Sequence, residues 1–320
     1  MSIRKAVHLI VCAVLVMAVL GLGGLLTYAG PYGVNVLLRR GGTFWVTVNP
    51  SDPRLSESMR LALKTDAAGS PGPFEWQTAG SGFEVGELPV LVDGTEVDRI
   101  LLARIDPNRY RFVVRNAPAG DLDLEAWMGS LKAAAVINGS YYSRYGTPDT
   151  PLLSDGSKLG PASYQAWHGA FIASEVDAAV VDLHQNTWQE AFNGASDALV
   201  SYPMLIGDAS PGRRIEPSRW LANRSFVGQD EAGKIVLGTT QNAFFSLARF
   251  AKFLQAAPLG LTRALNLDGG PLACQAVSIG RYRRDFCGKW EIQEADGRLQ
   301  LLRWPFGSWA LPIVLAVVPK

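Results

Sequence analysis

The longest apolar stretch of the chain lies at its amino terminus. Between Ala6 and Leu38 no charged residue occurs, and Val, Leu, Ile, Ala and Gly dominate residues 7–26. About 20 apolar residues suffice to span a bilayer as a helix. Residues 1–38 therefore predict an N-terminal transmembrane anchor, with a cleaved secretory signal as the alternative, because Thr27-Tyr28-Ala29 resembles a cleavage site. In both cases we expect the body of the protein outside the cytoplasm, on the periplasmic side of the inner membrane.

The rest of the chain mixes strand-like and helix-like spacings of apolar residues. Apolar positions at i, i+3, i+4 and i+7 predict a helix after Ser246, and Asp121 or Asp123 is the predicted cap of a helix over residues 124–131. The turn sequence Asp106-Pro107-Asn108 predicts a β-hairpin. Strand-like runs cover residues 99–105, 110–114, 133–137, 178–183, 234–239, 264–267 and 313–318. We therefore predict a mixed α/β (α+β) fold, a single domain with a mixed sheet and helices.

Residues 39–82 differ from the rest in composition. They hold one strand-like run, residues 43–48, one short helical pattern, residues 55–64, and a loop rich in Gly, Ser and Pro, residues 69–73. We interpret residues 39–82 as a linker or peripheral extension. The domain that carries the function is therefore expected to cover residues 83–320.

The composition narrows the classes of function. Hydrophobic residues make up 48% of the 320 residues and charged residues 18%, which excludes a disordered chain. The 30 Lys and Arg residues nearly balance the 29 Asp and Glu residues and give a net charge of +1. Because nucleic-acid binders carry a basic excess or a basic stripe, we expect no nucleic-acid partner.

Cysteine and histidine are rare. Three cysteines are too few for a disulfide scaffold, and three histidines are too few for a His-rich metal protein. Cys12 lies in the apolar segment. Cys274 and Cys287 would lie in an oxidising compartment, where we predict that they form a disulfide, with two buried thiols as the alternative. No group of Cys, His, Asp or Glu has the ligand spacing of a zinc or calcium site, so we expect neither a metal nor another cofactor.

Two polar loops follow short apolar strands. Asn138-Gly139-Ser140 comes after the strand that ends at Ile137, and Asp268-Gly269-Gly270 comes after the strand that ends at Leu267. Glycines permit a close approach of the backbone and leave N–H groups free for anionic oxygens. The two loops therefore predict a ligand crevice, although each sequence also suits an ordinary turn.

Four stretches carry the likeness to a known family: Val136 to Tyr142, Ser201 to Ile206, Asn223 to Asp230 and Ala264 to Gly270. Together they resemble the phosphodiester glycosidase domain family, over about residues 83–320. The most specific likeness is the last stretch, Ala-Leu-Asn-Leu-Asp-Gly-Gly, which follows the amphipathic helix at the distance usual in that family. The resemblance implies hydrolysis of a sugar-1-phosphodiester or a related glycosidic bond.

That reaction requires particular side chains. It needs a carboxylate that activates water or attacks the anomeric carbon, and an acid for the leaving oxygen unless the phosphate leaves readily. Asp268 is the first candidate for the carboxylate, and Arg224 offers a planar fork of donors that matches phosphate. The predicted substrate-binding set contains Arg224 with Asn138, Gly139, Asn266, Gly269 and Gly270. The charged and amide side chains could instead have structural roles. Asp268 could accept backbone hydrogen bonds within its loop, Arg224 could form an ion pair, and the asparagines could hydrogen-bond to the backbone.

A partner for Asp268 is harder to find in the sequence. Asp230 is the second catalytic candidate, chosen over Asp155 and Asp208, which also lie in segments that contain glycine. His168 is a candidate acid or base near neutral pH, and a packed histidine beside Trp167 is the alternative. Four tryptophans are candidates for stacking on sugar rings or for simple burial: Trp127, Trp167, Trp188 and Trp220.

Three departures from the family pattern separate the hypotheses on function. Ser140 replaces a Gly, Ser225 replaces a Thr, and Pro271 fixes the backbone where the family has a Gly-Ser-rich continuation. The first hypothesis is a membrane-anchored hydrolase acting on a sugar-1-phosphodiester or on an envelope or exopolysaccharide glycan, with a carbohydrate or sugar phosphate as substrate. The second is a non-catalytic glycan-binding or polysaccharide-assembly module that keeps the fold. A structural envelope protein is the third, and it would not need Arg224 and Asp268 to meet.

Overall fold

The structure, a computed structural model, describes residues 3–29, 45–143, 145–165, 168–184, 186–207, 215–303 and 309–320. In these residues the α-helices are α1 (Ile3–Ala29), α2 (Glu57–Lys64), α3 (Leu124–Leu131), α4 (Trp188–Ala191) and α5 (Leu247–Ala256). A short 3₁₀ turn covers Gly270–Leu272. The caps follow the sequence prediction: Asp123 caps α3 and Ser246 caps α5, each accepting a hydrogen bond from a backbone N–H of the first turn.

Strands make up the larger share of the chain, 42% against 19% for helix. In chain order they are β1 (Val46–Val48), β2 (Ser70–Pro71), β3 (Gln77–Gly80), β4 (Phe83–Val92), β5 (Thr95–Ile105), β6 (Tyr110–Asn116), β7 (Ala135–Asn138), β8 (Leu152–Ser154), β9 (Ser157–Leu159), β10 (Gly169–Ala173) and β11 (Ala178–Asp182). They continue with β12 (Asp197–Ser201), β13 (Met204–Ile206), β14 (Leu221–Ala222), β15 (Ser225–Asp230), β16 (Ile235–Thr240), β17 (Leu261–Asn266), β18 (Cys274–Ile279), β19 (Tyr282–Cys287), β20 (Trp290–Ala295), β21 (Arg298–Arg303) and β22 (Ile313–Pro319).

The strands form four sheets. The orders are β13-β17-β15-β16-β5-β4-β2 with β3 beside β4, β19-β18-β7-β22-β6, β11-β10-β12-β8-β9, and β1-β21-β20-β14. Every strand pair in the described residues is antiparallel. The fold of the described residues is therefore mostly antiparallel β with a few helices: the predicted combination of sheets and helices is present, whereas the mixed sheet and the balance expected of a mixed α/β (α+β) fold are not. Apolar periodicity identifies a strand but carries no information on the direction of its partner.

The eight-stranded sheet separates two large cores. Its one face packs on the two five-stranded sheets around Phe112, Phe171 and Leu265. Its other face packs on α2, α5 and the four-stranded sheet, with Phe226 and Phe250 at the contact. Helices α3 and α4 cover smaller clusters on the outer faces of the five-stranded sheets. Helices are thus confined to the outside of the stacked sheets.

The predicted hairpin at Asp106-Pro107-Asn108 does not form. Both strands exist, but β5 pairs with β4 and β16, whereas β6 pairs with β22. The turn therefore carries the chain from one sheet to another across the first core. The hairpin forms one connection earlier, between β4 and β5, where Asp93 and Gly94 both have positive φ.

Residues 45–82 pack onto the same body. Strand β1 pairs with β21, β2 and β3 pair with β4, and Met59 and Ala62 of α2 are buried in the second core. The division into residues 1–38, 39–82 and 83–320 stays a prediction.

Helix α1 differs from all other helices. Its window Val7–Gly24 has a mean hydropathy of 2.5, and none of it is buried inside the protein. Length and composition make it a candidate membrane span or a signal sequence.

Candidate active site

One cavity brings together the polar loops predicted from the sequence. It has a volume of about 340 Å³. Its wall contains Trp45, Tyr141, Tyr142, Asp149, Tyr202, Trp220, Asp268, Gly269, Pro271, Leu272, Glu291, Gln293, Leu302 and Trp309. Of the proposed catalytic and substrate-binding residues, Asp268 and Gly269 lie directly in this wall. The four-stranded sheet and the loop after β17 meet here.

Asp268 is fixed by its backbone. Its N–H donates to the carbonyl of Gly139 at 3.0 Å, and its carbonyl accepts from Asn138 Nδ2 at 2.7 Å. Its Oδ1 accepts from the N–H of Gly269 at 2.9 Å. The two glycine-containing loops therefore meet as predicted, and the carboxyl group is held at the cavity wall.

Asn138 and Gly139 act behind this wall. Asn138 is buried: its Nδ2 donates to the carbonyl of Asp268, and its Oδ1 accepts from the N–H of Cys274 at 3.1 Å. Gly139 packs so closely on β22 that a Cβ would lie 2.3 Å from Cγ2 of Ile313. In this geometry both residues position Asp268, and their role in binding substrate stays a prediction.

Glu291 is the carboxylate that sequence reasoning missed. It lies in β20, and its Oε1 accepts from Trp220 Nε1 at 2.6 Å. A Cβ on Gly270 would lie 2.6 Å from Oε2, so the Asp268 loop and Glu291 are in contact. Burial raises the pKa of Glu291 above its ordinary value, while the Trp220 hydrogen bond and the charge of Arg224 oppose that rise. A raised pKa favours the protonated form of the carboxyl group, which is the form that acts as a general acid.

Asn223 ties Glu291 to the Asp268 loop. Its Oδ1 accepts from the N–H groups of Lys289 at 3.2 Å and Trp290 at 3.4 Å, and its carbonyl accepts from Gly270 at 2.9 Å. A Cβ on Gly288 would lie 2.1 Å from the carbonyl oxygen of Gly270. These contacts fix the start of β20 against the loop, and they require glycine at position 288.

Arg224 lies behind Gly269 and is buried. Its Nε donates to the carbonyl of Phe245 at 3.1 Å and its Nη2 to the carbonyl of Trp220 at 2.9 Å. A Cβ on Gly269 would lie 3.4 Å from Nη1. Burial lowers the pKa of Arg224, and the negative charges of Glu291 and Asp268 oppose that change. The guanidinium stays charged at any working pH and is placed to attract an anion in the cavity.

An aromatic wall faces the carboxyl groups. Tyr141 and Tyr202 stack with ring centroids 4.4 Å apart, and His168 lies 5.3 Å from Tyr202. Asn266 Nδ2 donates to the hydroxyl of Tyr141 at 2.8 Å and to the carbonyl of Tyr202 at 3.0 Å. Burial raises the pKa of Tyr141, so its phenol stays neutral. Asn266 therefore fixes the wall from behind, and His168 is one ring removed from the cavity.

Asp230 does not join the site. Asp230 is the last residue of β15, whereas Phe226, which pairs with Asn266, lies near the start of that strand. The Oδ1 of Asp230 accepts from the N–H groups of Ala232 and Lys234 at 2.9 Å. At about 3.3 Å per residue, four residues of strand separate Asp230 from that pair by roughly 13 Å. Asp230 closes the β15–β16 turn and does not line the cavity, so the structure does not bring it to this site, and its catalytic role stays a prediction.

The other candidate carboxylates and tryptophans differ in where they lie. Asp155 is exposed in the β8–β9 turn, and Asp208 and Trp167 lie outside the described residues. Trp127 and Trp188 are buried, and each donates its Nε1 hydrogen to a carbonyl. Only Trp220 of the four predicted tryptophans is shown at the cavity, with 46% of its surface exposed.

Cys274 and Cys287 form a disulfide across the first pair of β18 and β19. The bond joins the chain that leaves the Asp268 loop to the chain that leads to Glu291. The N–H of Gly288 donates to the carbonyl of Ala273 at 2.7 Å next to it. Within the part of the chain that the structure describes, no three His, Cys, Asp or Glu side chains are arranged to hold a metal ion.

The chain resembles known proteins in sequence and in fold. The sequence profile of the phosphodiester glycosidase family matches residues 131–292, which include Asp268, Arg224 and Glu291. No curated protein sequence matches the chain. The catalytic domain of zebrafish N-acetylglucosamine-1-phosphodiester alpha-N-acetylglucosaminidase, auto-inhibited by its pro-peptide, superposes with a TM-score of 0.53 at 19% identity, over 78% of this chain and 89% of that one.

A hypothetical protein from Synechocystis superposes with a TM-score of 0.49 at 15% identity, over 78% of this chain and 64% of that one. At these identities the likeness to solved structures shows the fold alone. The family profile goes further, because it covers half of the chain and contains the whole Asp268 loop and Glu291. The protein therefore belongs to the phosphodiester glycosidase family.

Proposed function

We propose that this protein is a membrane-anchored hydrolase that cleaves a sugar-1-phosphodiester on the extracytoplasmic side of the membrane. Three carboxyl groups line the cavity, those of Asp149, Asp268 and Glu291, and the observation that supports the proposal most strongly is that the loop of Asp268 contacts Glu291, with the cation of Arg224 behind them. Glycosidic hydrolysis uses two carboxyl groups whose environments favour different protonation states.

The two carboxyl groups have different roles in this proposal. Glu291, whose pKa is raised by burial, donates its proton to the phosphate oxygen as the bond from that oxygen to the anomeric carbon breaks. Asp268 is the carboxylate that assists attack at the anomeric carbon, and water supplies the new hydroxyl group. The positive charge of Arg224 stabilises the negative charge that grows on the leaving phosphate.

The sugar lies against the aromatic side chains. Trp220 is exposed at the cavity beside Glu291, and Tyr141 and Tyr202 form a stacked wall. The flat apolar faces of sugar rings pack well on aromatic rings, whose polar edges bind the hydroxyl groups. An envelope or exopolysaccharide glycan with a phosphodiester at the anomeric carbon is the natural source of such a ligand outside the cytoplasm.

A glycan-binding or polysaccharide-assembly module without turnover is the second candidate. Pro271, which departs from the family pattern, lies buried in the 3₁₀ turn and in the cavity wall directly after the Asp268 loop. It removes a backbone donor from the place where the substrate would bind. Binding of a sugar phosphodiester without its hydrolysis would favour this candidate.

The test is a turnover assay on the full chain. The methyl ester of N-acetylglucosamine 1-phosphate, UDP-N-acetylglucosamine and aryl glycosides are each incubated with the protein, and the released sugar is measured. We expect release from the phosphodiesters, and a loss of roughly 10²–10⁴-fold in kcat for Asp268→Asn and for Glu291→Gln. Glu294→Gln, an exposed residue on the same strand, is the matched control. Turnover that survives Asp268→Asn would refute the assignment.

A further inference from the structure

The four-stranded sheet brings apolar residues next to Glu291 in a defined row. Glu291 pairs with Leu302 of β21, and Val46 of β1 pairs with Leu301. Continuing the β1–β21 register by one residue places Trp45 beside Leu302. Paired residues on neighbouring antiparallel strands project to the same face of a sheet. Glu291, Leu302 and Trp45 therefore form a row across three strands, and all three line the cavity.

Strand spacing gives the scale of this row. Neighbouring strands lie about 4.8 Å apart, so the row extends roughly 10 Å from the strand of Glu291. Trp309 and Leu272 add apolar surface to the same cavity. Trp220 lies on the opposite side of Glu291, next to β14, which pairs with β20 through Ala222 and Glu291. The acid is thus flanked by one exposed aromatic side chain and, on its other side, by an apolar surface.

Most of this apolar surface comes from residues outside the range 131–292 that the family profile matches. The family profile ends at residue 292, whereas Trp45, Leu302 and Trp309 lie before or beyond it. Trp45 reaches the cavity from the segment that follows α1, whose last residue is Ala29. Sixteen residues can span at most about 56 Å, so an anchored α1 keeps the cavity within that distance of the bilayer.

We propose that this surface, named here the Trp45 subsite and formed by Trp45, Leu272, Leu302 and Trp309, binds an aliphatic ester group on the phosphate of the substrate. The inference rests on the proposed function, and it deepens it by naming the substrate class: a sugar-1-phosphodiester whose second alcohol is a long alkyl or isoprenoid lipid. The sugar then lies on the side of Trp220, the phosphate lies at Glu291 and Arg224, and the hydrocarbon lies over Leu302 and Trp45.

The apolar surface of the Trp45 subsite favours a hydrocarbon chain over a sugar or a nucleoside. Over Leu272, Leu302 and the indole carbons of Trp45 and Trp309, the hydroxyl groups of a sugar or a nucleoside would find few hydrogen-bond partners, and each unpaired hydroxyl is costly. A hydrocarbon chain removes the same surface from water at no such cost, and each buried methylene improves affinity by roughly fourfold. Two buried methylenes therefore suffice for a preference of about tenfold.

The test uses binding of the leaving phosphate, so that it does not depend on turnover. Hexyl phosphate and methyl phosphate are titrated into the full chain in lipid nanodiscs by calorimetry, with empty nanodiscs as the blank. We expect hexyl phosphate to bind at least about tenfold tighter than methyl phosphate. In Trp45→Ala the ratio should fall below about threefold, because the outer part of the subsite is lost.

Val46→Ala is the matched control. Val46 is on the same strand but on the opposite face, and the ratio should stay as in the wild type. A wild-type ratio near one, no measurable binding of hexyl phosphate, or an unchanged ratio in Trp45→Ala would each overturn the proposal. The ratio of the two affinities in the wild type can be measured whether or not the variants fold. Failure of the turnover assay together with a high binding ratio would refute hydrolysis and leave the Trp45 subsite intact.

Discussion

At the scale of single residues, the protonation of Glu291 is the feature on which the chemistry depends. Its environment combines burial, which favours the neutral acid, with an N–H from Trp220 and the charge of Arg224, which favour the carboxylate. A raised pKa extends the pH range in which the acid can donate its proton. Activity is therefore expected to fall on the alkaline side, as Glu291 loses its proton.

Trp220→Phe tests this balance. The ring is kept, but the N–H that stabilises the Glu291 carboxylate is removed, so the pKa of Glu291 rises further. The alkaline limb of the kcat profile should move to higher pH, and Glu291→Gln should lack this limb. Trp76→Phe, whose ring lies under Arg104, is the control without a shift. A limb that moves to lower pH would contradict the assignment of Glu291.

Some residues of the site can be identified from the sequence, and others cannot. Asp268 and Arg224 stand in motifs of the family, so a resemblance finds them. Glu291 stands between Trp290 and Ile292 in an ordinary amphipathic strand. Only the pairing of β20 with β14 and the contact with Gly270 bring it to the cavity. Such long-range pairing leaves no local pattern, so the sequence alone does not distinguish Glu291 from candidates such as Asp230.

At the scale of elements, the disulfide links the two halves of the site. Cys274 follows the Asp268 loop, and Cys287 precedes β20. In Cys274→Ser/Cys287→Ser we expect the free energy of unfolding to fall by about 2–4 kcal/mol, because the unfolded chain gains freedom. Thermal unfolding monitored by circular dichroism measures this. Cys12→Ser, a free cysteine in α1, should leave Tm unchanged.

The double variant Cys274→Ser/Cys287→Ser should also have a lower kcat at temperatures where the protein stays folded. The reason is that Glu291 and Asp268 lose one of the ties that fix their separation, while Asn223 and Gly288 keep the others. Full activity of the double variant at equal folded fraction would show that the hydrogen bonds alone set the geometry.

Elements were predicted far better than their arrangement. Helix α3 begins and ends where the Asp123 cap and the apolar spacing placed it, and strands β5, β6 and β22 lie on the predicted runs. The pairing of β5 with β6 was wrong, because a turn sequence is equally suited to a hairpin and to a crossing between sheets. Local patterns determine elements, whereas their partners depend on packing over the whole chain.

In the molecule as a whole, the apolar helix α1 does not share the packing of the stacked sheets. The sheets bury two cores of their own, whereas no residue of the window Val7–Gly24 is buried in the protein. We expect the full chain to sediment with membranes and to stay there after washing with alkaline carbonate. In spheroplasts, added protease should degrade the body. Release of a soluble body with a new N-terminus near Ala29 would instead indicate a cleaved signal.

In the proposed reaction, Asp268 and Glu291 act on the bond between the anomeric carbon and the phosphate oxygen. Hydrolysis of a sugar-1-phosphodiester in water labelled with heavy oxygen shows which bond breaks, because mass spectrometry identifies the product that carries the label. We expect the label in the free sugar and an unlabelled phosphate monoester. Label in the phosphate would mean attack at phosphorus and would refute the roles proposed for Asp268 and Glu291.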